Sequence, residues 1–384
     1  MILKNGKIFT MEKEVIEGGS ILIKGKRIEK IVRGELNLEG EEVIDLKDAR
    51  VYPGFIDAHC HLGLLEENMG FEGNDINETS HAVTPHLRAI DGINPMDGGF
   101  KKALRAGVTS VLTGPGSANV VGGQFAAIKT CGISVDDMII KAPAALKVAF
   151  GENPKRVYNG KGKMPVTRMG TAALLRETLT QAVNYKNRKE RAAVKDEFFE
   201  IDLKMEAILP VLNKKIPLKA HAHRADDILT ALRIAEEFSV DITLDHCTEG
   251  HLIKDYIKAS GKYVLLGPGM HYNSKIELTN RTFESAAILS NEGVKVVIIT
   301  DHPVVEIQYL PLSAAMCVKA GMKEEEALKA ITIYAAEASG VDDKVGSIKE
   351  GKDADLAIFN GNPLDNFTET LYTIVDGEIV YKNN

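Results

Sequence analysis

Alternation of apolar and polar positions marks both ends of the chain, whereas its middle sets short solid apolar runs against stretches with helical spacing. Near the N-terminal end, residues 3–9, 19–28 and 42–46 carry this period of two, and Asn5-Gly6 and Lys24-Gly25-Lys26 supply hairpin turns between the runs. Residues 354–359 and 372–381 repeat the texture at the other end. Strand-rich ends with open edges are stabilised by pairing with each other, so the pattern predicts a small composite β-sandwich formed by both termini. Between them, apolar runs at 54–58, 108–113, 124–130, 138–148, 217–220, 241–245, 263–266 and 295–300 alternate with helical patterns, among them 98–106, 171–212, 225–238, 282–291, 311–319 and 324–339. Eight strands alternating with helices is the count a closed barrel requires, and the predicted fold is α/β, a (β/α)8 TIM barrel carrying the sandwich. The expected division assigns 1–50 and 346–384 to the sandwich and 51–345 to the barrel. One link resists this scheme: residues 131–137 are too few for a crossover helix, so the third and fourth strands are joined irregularly or as a hairpin above the barrel. Ile331, Tyr334, Ala335 and Ala338 recur at helical spacing and read as packed core.

Composition narrows the partners. With 384 residues, 44% hydrophobic and 26% charged, the chain can bury a large core and resembles an ordinary globular protein. Its net charge of −7 is spread over interspersed acids and bases, which gives no electrostatic reason to expect nucleic acid or an anionic membrane as a partner. No apolar run approaches the ~18 residues of a membrane span, and the first residues lack a signal-peptide core, so a cytoplasmic location is expected. Cys60, Cys131, Cys247 and Cys317 form no Cys-x-x-Cys pair and fit a reducing compartment better than a disulfide framework.

Chemistry gathers where the apolar runs stop. The first ends in His59-Cys60-His61, and period-two geometry puts both histidines on one face, near enough to grip one ion. Later runs end in His221-Ala222-His223, in Asp245-His246-Cys247 and in Thr300-Asp301-His302-Pro303. In a barrel these C-terminal strand ends converge on one mouth, so His59, His61, His221, His246 and Asp301 can meet. Imidazoles with one carboxylate suit zinc, and iron or manganese as well. Cys60 and Cys247 each follow a ligand directly and should face away from it as small packing residues. The glycine-rich stretch 114–124 lacks the order of a phosphate-binding loop and reads as a tight loop at the mouth, while 151–156 and 167–170 are placed to shape a pocket. His81, His86, His251 and His302 receive no role.

The Pro53-Gly54-Phe55-Ile56-Asp57-Ala58-His59-Cys60-His61 entry, the Thr300-Asp301-His302-Pro303 strand end and the closing Val345-Gly346-Ser347-Ile348-Lys349-Glu350-Gly351-Lys352-Asp353-Ala354-Asp355-Leu356 together resemble the amidohydrolase superfamily, over nearly the whole chain and in one order. Within it the chain looks closest to the imidazolonepropionase-related amidohydrolases, which include cyclic-amide hydrolases and dipeptidases. The resemblance implies a metal-dependent hydrolase cleaving a C–N bond in a small molecule, and it is consistent with a homo-oligomer. It favours His221 over His223 as ligand, leaving His223 for the substrate. It also implies that a lysine on the fourth strand, if carbamylated, bridges two ions; Lys147 stands near the end of that run, and a surface lysine is the other reading. One or two ions are therefore both open. Asp301 would act as general base and then acid, and His223 and His271 are the candidate donors to the oxyanion. Deaminases of the superfamily, and imidazolonepropionase itself, carry a glutamate three residues after the His221 ligand. Arg224 stands there instead, which weakens both heterocycle deamination and imidazolone hydrolysis and could suit a substrate carboxylate, although a solvated helix start is the plainer reading. A non-catalytic barrel kept for assembly would show decayed ligands, and all five are present.

Overall fold

The computed structural model describes residues 1–12, 14–36, 38–67 and 69–383. All eight expected barrel strands form: β1 Phe55–Cys60, β2 Val108–Thr113, β3 Val121–Lys129, β4 Ile139–Ala149, β5 Leu218–Ala222, β6 Ile242–His246, β7 Val264–Leu266 and β8 Val296–Ile298. They pair in chain order as one sheet. The ring closes at the mouth, where the Asp301 N–H donates to the His59 carbonyl at 3.2 Å and the His61 N–H to the His302 carbonyl at 2.8 Å.

The misfit between the third and fourth strands resolves as a reversal. β3 runs antiparallel to both β2 and β4, while the other neighbouring pairs are parallel. The links on either side of β3 are too short to carry the chain back across the sheet, so it turns in place and β2, β3 and β4 form a meander. This meander lies within the barrel wall rather than above it. Because β3 descends from the mouth, the glycine-rich loop that precedes it stands at the rim, as its small residues suggested.

Leu112, Phe125, Leu265, Val297 and Ile299 fill the barrel interior, and a second apolar core lies between the strands and the surrounding helices. The helix Ile333–Ser339 packs below the barrel, where the Ile56 N–H donates to the Ile331 carbonyl at 2.8 Å. Ile331 and Ala335 are fully buried there and Tyr334 is partly so. The long helical stretch expected over 171–212 is broken into Arg168–Lys195, Leu203–Glu206 and Leu209–Leu212, the first ending where Asp196 takes a left-handed conformation at φ 56°. Likewise 324–339 divides into Glu324–Ala330 and Ile333–Ser339 about Thr332.

Both termini share a second eight-stranded sheet. Leu356–Phe359 pairs antiparallel with Arg50–Pro53, which pairs parallel with Ile2–Phe9, and Leu3, Ile21, Val51, Ile358 and Ile374 form their common core. Lys129, at the lower end of β3, ties this sheet to the barrel: its Nζ lies 2.9 Å from Asp353, 2.6 Å from Asp355 and 3.2 Å from Asp376. Among the described residues no helix is long and apolar enough to cross a membrane.

Candidate active site

The strand ends deliver their side chains to one place. Donor atoms of His59, His246 and Asp301 lie within 4.8 Å of one another, and those of His221, His223 and His246 do the same. His61 Nε2 is 3.3 Å from Asp301 Oδ1, and Lys147 Nζ is 3.2 Å from His59 Nε2. Lys147 is thus fully buried inside the barrel, and the reading of it as a surface lysine is wrong. His223 lies as close to the cluster as His221, so proximity alone does not separate ligand from donor. Backbone geometry completes the convergence at two positions: His246 and Asp301 adopt φ of 68° and 54°. In an extended strand, consecutive residues face opposite ways, and the left-handed turn at His246 lets Asp245 and His246 both reach the site.

Hydrogen bonds fix how three of the imidazoles present themselves. His59 Nδ1 donates to Asp245 Oδ2 at 2.6 Å, His61 Nδ1 to the Gly114 carbonyl at 2.7 Å, and His246 Nδ1 to the Gly267 carbonyl at 2.7 Å. These partners accept only, so the proton sits on Nδ1 and each Nε2 lone pair faces the cluster, as metal ligation requires. Gly267 has to be glycine for this: at φ 147° an added Cβ would lie 2.1 Å from the Ile299 carbonyl. His223 differs, because its Nδ1 meets the Thr248 hydroxyl at 2.8 Å, and a hydroxyl can donate as well as accept. Burial, with neighbouring cationic and imidazole groups, holds His59, His221 and His223 well below the usual histidine range, so they are neutral. Burial likewise pushes Lys147 down to about 8. Asp301, despite its burial, is held below the ordinary carboxylate range, chiefly by His246 and His61. Neutral nitrogen lone pairs around one ionised carboxylate make a donor set that fits a divalent transition metal.

Two buried residues outside the expected set support it. Asp245 also takes the Lys219 Nζ at 3.3 Å and the Thr243 hydroxyl at 2.9 Å, and Lys219 is buried within the barrel. Lys147 and Lys219 flank Phe125, each Nζ being 5.5 Å from the ring centre. A carboxylate preceding a histidine was visible in the sequence, but strand alternation placed it on the opposite face. Cys60 and Cys247 face away, into the core between barrel and helices, and all four cysteines are free.

Above the cluster opens a cavity of about 430 Å³. Ser117 of the glycine-rich loop, Asn153 and Arg156 of the helix Glu152–Asn159, and Lys275 and Arg281 line it, with His271 at the rim, its Nδ1 bound to the Tyr272 carbonyl at 2.9 Å. Arg224 does not line it; the side chain stands at a helix start and pairs with Asp226 at 3.0 Å.

A model of the amidohydrolase family matches residues 50–380. The crystal structure of an amidohydrolase from Thermotoga maritima superposes with a TM-score of 0.96 at 42% identity, each chain covered in full (100%). Amidohydrolase tasK of Hapsidospora irregularis is 29% identical over 87% of this chain, which spans only 37% of that longer protein. The imidazolonepropionase of Caldanaerobacter subterraneus subsp. tengcongensis is 26% identical over 92% of this chain and 87% of its own length.

Proposed function

The chain belongs to the amidohydrolase family, enzymes that act on carbon–nitrogen bonds, and to its imidazolonepropionase-related group; on that premise we propose that it hydrolyses an amide, cyclic amide or dipeptide-like substrate with a divalent metal, zinc by preference. The observation that carries this reading is the set of acceptor-locked imidazoles whose Nε2 atoms converge beside ionised Asp301. His59, His61, His221, His246 and Asp301 would hold the metal, and Lys147 as a carbamate would bridge a second ion. Bound there, a divalent metal supplies Lewis acidity and lowers the pKa of water toward neutrality.

The chain's own residues do the rest. Asp301 accepts the proton of the water that attacks the carbonyl carbon and returns it to the leaving nitrogen. With the Thr248 hydroxyl donating to its Nδ1, His223 presents an Nε2–H to the developing oxyanion. That separates its role from His59, His61 and His246, whose Nδ1 partners cannot donate. His271 at the rim would meet the substrate rather than the reacting atoms. Metal analysis of protein purified without chelator should find stoichiometric transition metal, and a screen of N-acyl amino acids, dipeptides and cyclic amides should find turnover that Asp301→Asn lowers by ~100-fold or more. Metal-free protein with activity, or an Asp301→Asn variant with full turnover, would overturn the proposal.

A further inference from the structure

The cavity holds a guanidinium without a carboxylate beside it. Arg281 lines both the large cavity and a smaller one of about 40 Å³ behind it, sharing the walls of each with His246, Pro268 and Leu278. Among the described residues the one hydrogen bond of its guanidinium runs from Nη1 to the Pro268 carbonyl at a long 3.4 Å, and no ion pair engages it. Arg224 and Arg168, by contrast, each have a carboxylate 3.0 Å away. Two further cations of the cavity wall are only loosely paired, Lys275 at 3.6 Å from Glu277 and Arg156 at 3.8 Å from Glu152. Asp301 is the one carboxylate among the lining residues described, and it belongs to the histidine cluster, 3.3 Å from His61 Nε2. A protein of net charge −7 therefore turns Arg156, Lys275 and Arg281 toward this cavity, besides Lys147 at the cluster itself. Partial burial of an unpaired guanidinium is unfavourable, and it holds Arg281 below its ordinary range. A planar fork of this kind is matched by a carboxylate arriving with the ligand.

We infer that Arg281, with Lys275 from the same loop, holds a free carboxylate on the substrate, so that among the compounds named above the enzyme takes N-acyl amino acids or dipeptides and rejects their neutral amides. This rests on the hydrolase reading for the reaction but stands on the cavity's charge for the ligand. The test compares binding of N-acetyl-L-leucine and N-acetyl-L-leucinamide to the metal-loaded protein by titration calorimetry, with hydrolysis of both followed separately. The acid should bind ~10-fold or more tighter than the amide, with a preference that shrinks at high salt. Arg281→Met should bring the two within ~2-fold, Arg281→Lys should keep part of the difference and the fold, and Arg224→Met should keep all of it. Equal binding of acid and amide, no binding of either, or a preference that survives Arg281→Met overturns the inference. Acid binding that depends on Arg281 with no hydrolysis of any compound would leave the inference standing and count against the proposed reaction.

Discussion

Asp245→Asn tests whether the site is organised from beneath. The native carboxylate is fully buried, holds His59 Nδ1 at 2.6 Å and faces the buried Lys219 Nζ at 3.3 Å. Asparagine keeps an oxygen that can accept from His59 but loses the charge that makes the ring basic and balances the lysine. Loss of such an outer partner weakens metal binding by ~10–100-fold, which is about 1.4–2.7 kcal/mol. Stranding a buried ammonium costs a further ~3–5 kcal/mol of folding stability. The two effects have different pH signatures. Burial already holds Lys219 below its ordinary value, and removing Asp245 lowers it further. In the window between that lowered value and the unfolded one near 10.5, the unfolded chain binds more protons. Native protein gains with the same slope above its own, less lowered value, so the variant recovers relative to it as pH rises between the two folded values. Urea unfolding at about pH 7 and about pH 9 reads the recovery, and competition with a chelator reads the metal. Asp245→Asn/Lys219→Met should regain most of the stability while metal binding stays weak. Native-like metal affinity in the single variant, or restoration of metal affinity along with stability in the double one, would refute the argument that Asp245 acts through His59.

Three further outcomes are expected. Intact mass under native conditions should show the addition of one carbon dioxide, absent in Lys147→Ala together with part of the bound metal; since carbamylation uses the neutral amine and Lys147 titrates at about 8, bicarbonate-dependent metal loading should rise as pH passes through that value. An unmodified mass at full metal content excludes the bridge. Lys129→Met leaves Asp353, Asp355 and Asp376 facing one another and should lose ~3–5 kcal/mol by urea unfolding near neutral pH. Burial already raises Asp355, and without the lysine it rises further, so the folded variant takes up protons as pH falls and the deficit should shrink on acidification; a deficit independent of pH would contradict this. Arg224→Ala should change stability by less than ~1 kcal/mol and leave KM unaltered, because its exposed pairing with Asp226 lies outside the cavity; a large KM change would restore it as a substrate contact.

What was legible in the sequence, and what was not, follows from how a barrel is built. Apolar runs identify strands, and the polar residues that end four of them identify side chains at the mouth, so all eight strands and the convergence of His59, His61, His221, His246 and Asp301 could be read before any geometry was known. An apolar run carries no direction, which is why the reversal of β3 showed only as a link of awkward length. Period-two alternation assigns one face to Asp245 and the other to His246, and nothing in a non-glycine residue announces the positive φ that brings both inward. Arg224 was legible only as a position following a ligand, and the helix start that turns it to Asp226 is local chemistry that the motif hides. Arg281 lies in a loop whose pattern has no period at all, and its meaning depends on what is missing around it, a property of packing alone. The division has a functional consequence. Strand ends gather the polar groups at the mouth and so let the class of reaction be argued from the chain, whereas the groups that would select a substrate sit on loops, where only the folded arrangement shows that Arg281 and not Arg224 lines the cavity.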